Sequence, residues 1–205
     1  MVGAAARGID REHDAGAGRG DLALDDDRDV QVGLREAALG AVEDGPAAEQ
    51  GRYAQTGARL ALDAVNKAGG VLGKQVELIV EDDQTTNPGV VLAFSKLASQ
   101  PDMVAFLGSI RSTQVHAMAP DVLKIGKPVM IGGTDPTLTH MGNPWLFRFR
   151  PNDSYSGSVI ADYGFRTLGK KKWAIVHSTD AFGTAGGKAL TEALGKLDAT
   201  IAIDQ

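Results

Sequence analysis

From residue 45 to the end, short apolar stretches alternate with longer stretches of helical period, and this alternation narrows the possible folds most. Pro46 can sit in a first helical turn, and Tyr53, Gly57, Leu60, Ala61, Ala64 and Val65 then recur at helical spacing until Gly69-Gly70. Residues 75–80 (QVELIV) read as a strand. Asn87-Pro88 open a second helix to about residue 99, with Val91, Phe94, Leu97 and Ala98 on one face. Residues 103–107 (MVAFL) are wholly apolar, as expected of a strand buried on both faces. Further on, the pattern predicts a helix over 112–125, strands over 128–131 and 145–150, and a helix over 154–168. A strand over 172–177, a helix over 181–197 and a strand over 200–203 complete it. Such alternation implies right-handed βαβ crossovers and an α/β fold with a doubly wound parallel sheet.

The chain has 205 residues, enough for a real core and for one domain or one and part of another. With no cysteine, disulfides, thiolate nucleophiles and Cys-based metal sites are excluded. No apolar run approaches the roughly 18 residues of a membrane helix. A formal net charge of −5 argues against nucleic acid as a partner. That charge is unevenly spread: residues 1–50 sum to −7 and the remainder to +2, and every aromatic lies at or beyond Tyr53. Residues 1–44, rich in Gly, Ala, Asp and Arg, are therefore expected to form a leader unable to bury enough apolar area to order itself. Within it Val30, Val32 and Leu34 alternate as a short strand would, and residues 35–42 look helical. It lacks the basic start and apolar stretch of a secretory signal peptide.

In parallel sheets, ligands bind outside the carboxyl ends of the strands. Three turns answer that description: 108–112, 132–134 and 178–182. Ser112-Thr113 reads as an N-cap pair on a helix whose free N–H groups and dipole suit a carboxylate or phosphate. Gly132 and Gly133 would let a ligand approach the backbone. Arg111 could assist an anion, although an arginine in a turn is more often solvated. His116, His140 and His177 have no metal-ligand spacing, and His13 lies in the leader, so no metal is expected. Lys170-Lys171-Lys172 reads as a solvated strand entry. No Walker loop, Gly-x-Ser-x-Gly elbow or Gly-x-Gly-x-x-Gly is present, so neither a catalytic set nor a cofactor loop is expected. Glu81-Asp82-Asp83 invites comparison with receiver domains. The phosphate-accepting aspartate and the lysine those need are missing after residues 107 and 149, and Asp83 is expected to bind N–H groups of its own turn.

Residues 45–205 resemble the periplasmic solute-binding proteins of branched-chain amino acid ABC transporters, the leucine/isoleucine/valine-binding type with the type I periplasmic-binding fold. The resemblance is carried by GPAAEQGRYAQTGARLALDAVNKAGGVLGKQVELIVEDDQTTNP, FLGSIRST, PVMIGGTDPTLT, FRFRPND and WAIVHSTDAFGTAGG, in that order. It implies two α/β lobes that close on a small-molecule ligand without catalysis or cofactor, and a membrane permease as partner. Residues 45–150 would be lobe one, with the start of lobe two from 151. By the same resemblance Ser112 and Thr134 would hold the ligand carboxylate, and a carbonyl of Gly132-Gly133 would accept from its ammonium. Phe182 would supply the aromatic wall of lobe two, and Gln50 a further side chain from the first turn.

Departures from the family pattern accompany the match. The first strand of the sheet is either missing or replaced by part of 30–44, and the acidic residue that pairs with the ligand ammonium would lie beyond Gln205. The chain is thus expected to be a fragment or a mis-started reading, with its leader translated in a wrong frame. The family's localisation is periplasmic, and trapping by this chain is expected to be weak. Two rivals remain: a ligand-sensing regulator or receptor domain on the same fold, for amides or amino acids, and an enzyme of flavodoxin-like fold.

Overall fold

A computed structural model describes residues 32–37, 48–101 and 103–205. Two parallel sheets organise them. The first has five strands, β1 (Val32–Ala37), β2 (Val76–Glu81), β3 (Met103–Leu107), β4 (Val129–Ile131) and β5 (Leu146–Arg148), in the order β2-β1-β3-β4-β5. The second pairs β6 (Lys172–Ile175) with β7 (Thr200–Asp204). Between strands run α1 (Ala48–Lys67), α2 (Asn87–Ala98), α3 (Ser112–Ile125), α4 (Asp153–Asp162) and α5 (Ala181–Gly195).

The apolar β3 lies inside the sheet between β1 and β4, the place its composition requires. Phe106 is fully buried, tilted against Phe94 of α2 at a ring separation of 4.8 Å. With Leu97, Val115, Met118, Val122, Val129 and Ile131 these rings form the main core, between the sheet and helices α2 and α3. Helix α2 begins as its sequence predicts: Thr86 accepts from the Gly89 N–H, and Pro88 sits in the first turn. Helix α3 ends at Gly126, in the left-handed conformation that suits glycine.

Three local expectations change. Residues 35–37 are strand, not helix: β1 pairs in parallel with both β2 and β3, and two flanking ladders outweigh local helical preference. This strand occupies part of the stretch expected to be an unstructured leader. The rest of that leader, His13 and the helix start at Pro46 fall outside the described residues. The expected strand over 145–150 is ordered as such only at Leu146–Arg148. The helix expected to reach residue 168 widens into a π turn over Tyr163–Thr167. There Gly164 lies flat against the ring of Trp173, where a side chain would collide.

Candidate functional site

The carboxyl ends of β3, β4 and β6 open toward one cleft. Its floor begins with a buried polar chain. Asp83, after β2, accepts from the Thr85 N–H (2.7 Å), as its turn predicts, and also from Gln114 Nε2 of α3 (2.8 Å). Gln114 Oε1 accepts from the Ser109 hydroxyl (2.6 Å), whose oxygen accepts from the Arg111 N–H (2.9 Å). Burial pushes the Asp83 carboxyl up, against the lowering effect of these two hydrogen bonds. The chain ties the ends of β2 and β3 to the first turn of α3 and holds Arg111 and Ser112 in place.

Ser112 is not the cap that its sequence position implies. The N-cap of α3 is Arg111, which makes no side-chain cap bond. Ser112 is the first helical residue, 1% exposed, and its Oγ turns to the neighbouring strand end. There it accepts from the N–H groups of both Thr134 and Asp135 (3.1 Å each). A hydroxyl has two lone pairs and one proton. With both lone pairs engaged, Ser112 has only its proton left to offer. The start of α3 is correspondingly open, with backbone donors and the positive end of its dipole facing the cleft.

Asp135 anchors the second turn. It accepts from the N–H and hydroxyl of Thr137 (2.9 Å each), and its Oδ2 lies 2.7 Å from His116 Nε2. Burial works to raise its carboxyl, but the bonds to His116 and Thr137 outweigh it and hold the group below the ordinary carboxylate value. Arg148 Nη2 donates to the Asp135 carbonyl (2.6 Å), and the Asp153 N–H donates to the Thr134 carbonyl (2.9 Å). His116 is thus structural, and among the described residues no cluster suited to a metal occurs. His140 Nδ1 meets the Pro136 carbonyl and His177 Nδ1 the Ser178 carbonyl, 2.9 Å in each case.

Gln50, Arg111, Ser112, Thr134, Asp180 and Phe182 line one cavity of about 450 Å³, and Arg150 completes its wall. Four residues expected from the sequence, Gln50, Ser112, Thr134 and Phe182, therefore meet there. Phe182 is half exposed, in the first turn of α5, and Gln50 comes from the start of α1. Gly132 and Gly133 do not line the cavity. A Cβ on Gly132 would stand 2.9 Å from Ile110 Cγ2, and one on Gly133 2.7 Å from Leu138 Cδ1, so protein packing alone accounts for both glycines.

Asp180 and Arg150 line the cavity without having been singled out as candidates. Asp180 is the N-cap of α5, accepting from the Gly183 N–H (2.9 Å) and the Ser178 hydroxyl (2.6 Å), which hold its carboxyl low. The Thr-Asp-x-Phe-Gly order before a helix carries a capping signal that could have found it. Arg150 had no such signal, since it reaches the cleft through the relative placement of strand ends.

Comparison with known proteins follows the same outline. The family model described as periplasmic binding protein matches residues 38–205. The Leu/Ile/Val-binding protein homolog 3 of Brucella melitensis is 31% identical over 74% of this chain and 41% of its own length. An amino acid binding protein of Pseudomonas aeruginosa is 29% identical over 82% of this chain and 44% of its own. Among solved structures, the branched-chain amino acid transporter substrate binding protein LivJ of Streptococcus pneumoniae, in complex with isoleucine, is 26% identical with a TM-score of 0.73. It covers 86% of this chain and 49% of its own. The leucine binding protein LivK of Thermotoga maritima shares the fold at a TM-score of 0.74 and 19% identity, over 83% of this chain and 48% of its own. The chain thus spans less than half the length of the curated relatives it matches.

Proposed function

Because this chain belongs to the periplasmic binding protein family, we propose that its cleft binds a small carboxylate, foremost an amino acid, as part of the solute-binding component of an ABC importer. Its five-stranded and two-stranded parallel sheets are a first lobe and part of a second in the type I periplasmic-binding fold. The observation that carries the proposal is Ser112. A buried hydroxyl whose oxygen already accepts two N–H groups can only donate, and a carboxylate is an acceptor.

Thr134 and the uncapped start of α3 would share the carboxylate. Phe182 and Gln50 would face the solute from the two sides. The mechanism is binding and not catalysis: a solute touching both lobes favours the closed arrangement by its differential contacts. The closed form would then dock on a membrane permease, in the periplasm. Relatives named for binding leucine, isoleucine and valine support this reading.

The test is a heteronuclear NMR titration of the 205-residue chain with L-leucine and L-isoleucine, following the Ser112, Thr113 and Thr134 amides. These amides are expected to shift saturably, and Ser112→Ala is expected to weaken binding by about tenfold or more, as for a lost bond to a charged group. Equal affinity in Ser112→Ala would overturn the carboxylate assignment.

A further inference from the structure

Two arginines, Arg111 and Arg150, line the cleft together with one carboxylate, Asp180. Arg111 stands at the start of α3, beside Ser112 and Thr134, and faces Asp180 across the cavity. Asp180 partly balances it, although Asp180 is itself held by Gly183 and Ser178.

Arg150 is different. It lies just past the end of β5, exposed, and lines two cavities, the one described above and a neighbour of about 520 Å³ that also shares Thr134 and Phe182. Among the described residues it forms no salt bridge. The carboxylate that acts on it is Asp153, which is 8% exposed, with an Oδ2 that has no hydrogen-bond partner. Burial pushes the Asp153 carboxyl up, while Arg150 and Arg148 act to lower it. A guanidinium left without a partner, beside a cavity that continues past it, matches a second carboxylate bidentately.

Resting on the carboxylate-binding reading above, we propose that the cleft takes a solute with two carboxylates, one seated at Ser112 and the start of α3, the other at Arg150.

The same NMR titration of the full chain, run with glutarate, L-glutamate and L-leucine, tests it. At least one of the two dicarboxylates is expected to bind about tenfold or more tightly than leucine, the worth of one charge-assisted hydrogen bond or more. Arg150→Gln is expected to reduce dicarboxylate affinity by about the same factor, and more than it reduces leucine affinity. Leucine binding as tightly as the dicarboxylates, or dicarboxylate affinity unmoved by Arg150→Gln, would overturn this inference and leave the carboxylate reading standing. Failure of all three solutes to bind a chain that circular dichroism shows to be folded would overturn both.

Discussion

On one face of the five-stranded sheet, α2 and α3 press Phe94, Leu97, Val115, Met118 and Val122 against Phe106, Val129 and Ile131 until each is out of solvent. On the opposite face α1 lies alone among the described residues, over a cavity of about 460 Å³ lined by Ala58, Leu62, Leu78, Leu107 and Met130. Along α1, Tyr53 and Leu60 remain about two-thirds exposed. The strands are the same, and β3 and β4 are apolar on both sides. What differs is the number of elements brought against each face. An apolar stripe records that a helix can be buried, whereas its actual burial depends on neighbours from elsewhere in the chain.

Substitutions can break this contrast. Phe106→Ala, in the closed face, is expected to cost about 3–5 kcal/mol in chemical denaturation, through lost burial and the cavity left behind. A cost under about 1 kcal/mol would mean that this face is no better packed than the other. Gln114→Ala comes next, at about 2–3 kcal/mol, because it leaves the buried Asp83 carboxylate short of one donor. It should also shift the Ser112 and Thr134 amide resonances, since it frees the turn that holds them.

The acid limb of stability sharpens the comparison at the site end of the closed face. The folded-state value of Asp135 lies below its unfolded value, so its contribution is present above the ordinary carboxylate value of about 4 and is lost as pH falls through it. Asp135→Asn is accordingly expected to flatten the loss of stability on acidification below about pH 4, read from urea midpoints. An unchanged pH slope would refute the role given to the His116 and Thr137 bonds.

The open face should respond least. Gly57 of α1 borders the cavity, and a Cβ there meets nothing within 4 Å. Gly57→Ala is expected to stabilise by about 0.5–1 kcal/mol, from helix propensity alone. Leu60→Ala should stay within about 0.5 kcal/mol. A larger loss at Leu60 would show that α1 is covered in solution by something that the described residues do not include.

How much of this was legible varies by element. The strand at Met103–Leu107 was readable because five consecutive apolar residues have few other uses. Helix α2 was readable because an apolar stripe and the Asn87-Pro88 start agree. β1 was legible only in part: Val32 and Leu34 alternate as a strand does, but residues 35–37 read as helix and become strand only between β2 and β3. At the site, Ser112, Thr134, Phe182 and Gln50 were picked from turns and family resemblance, and the structure brings them to one cavity. Gln114 and Arg150 were passed over, because the partners that give them meaning are distant in sequence: Asp83 lies 31 positions from Gln114.

By itself the sequence determined the elements, their order and the parallel α/β class, since hydrophobic period and capping residues act within a few positions of one another. The tertiary structure alone decided that the Ser112 hydroxyl turns away from its own helix to accept from Thr134 and Asp135, and that α1 lies over an open cavity. Those outcomes depend on which distant N–H groups and side chains arrive at the same place, and local pattern does not encode that.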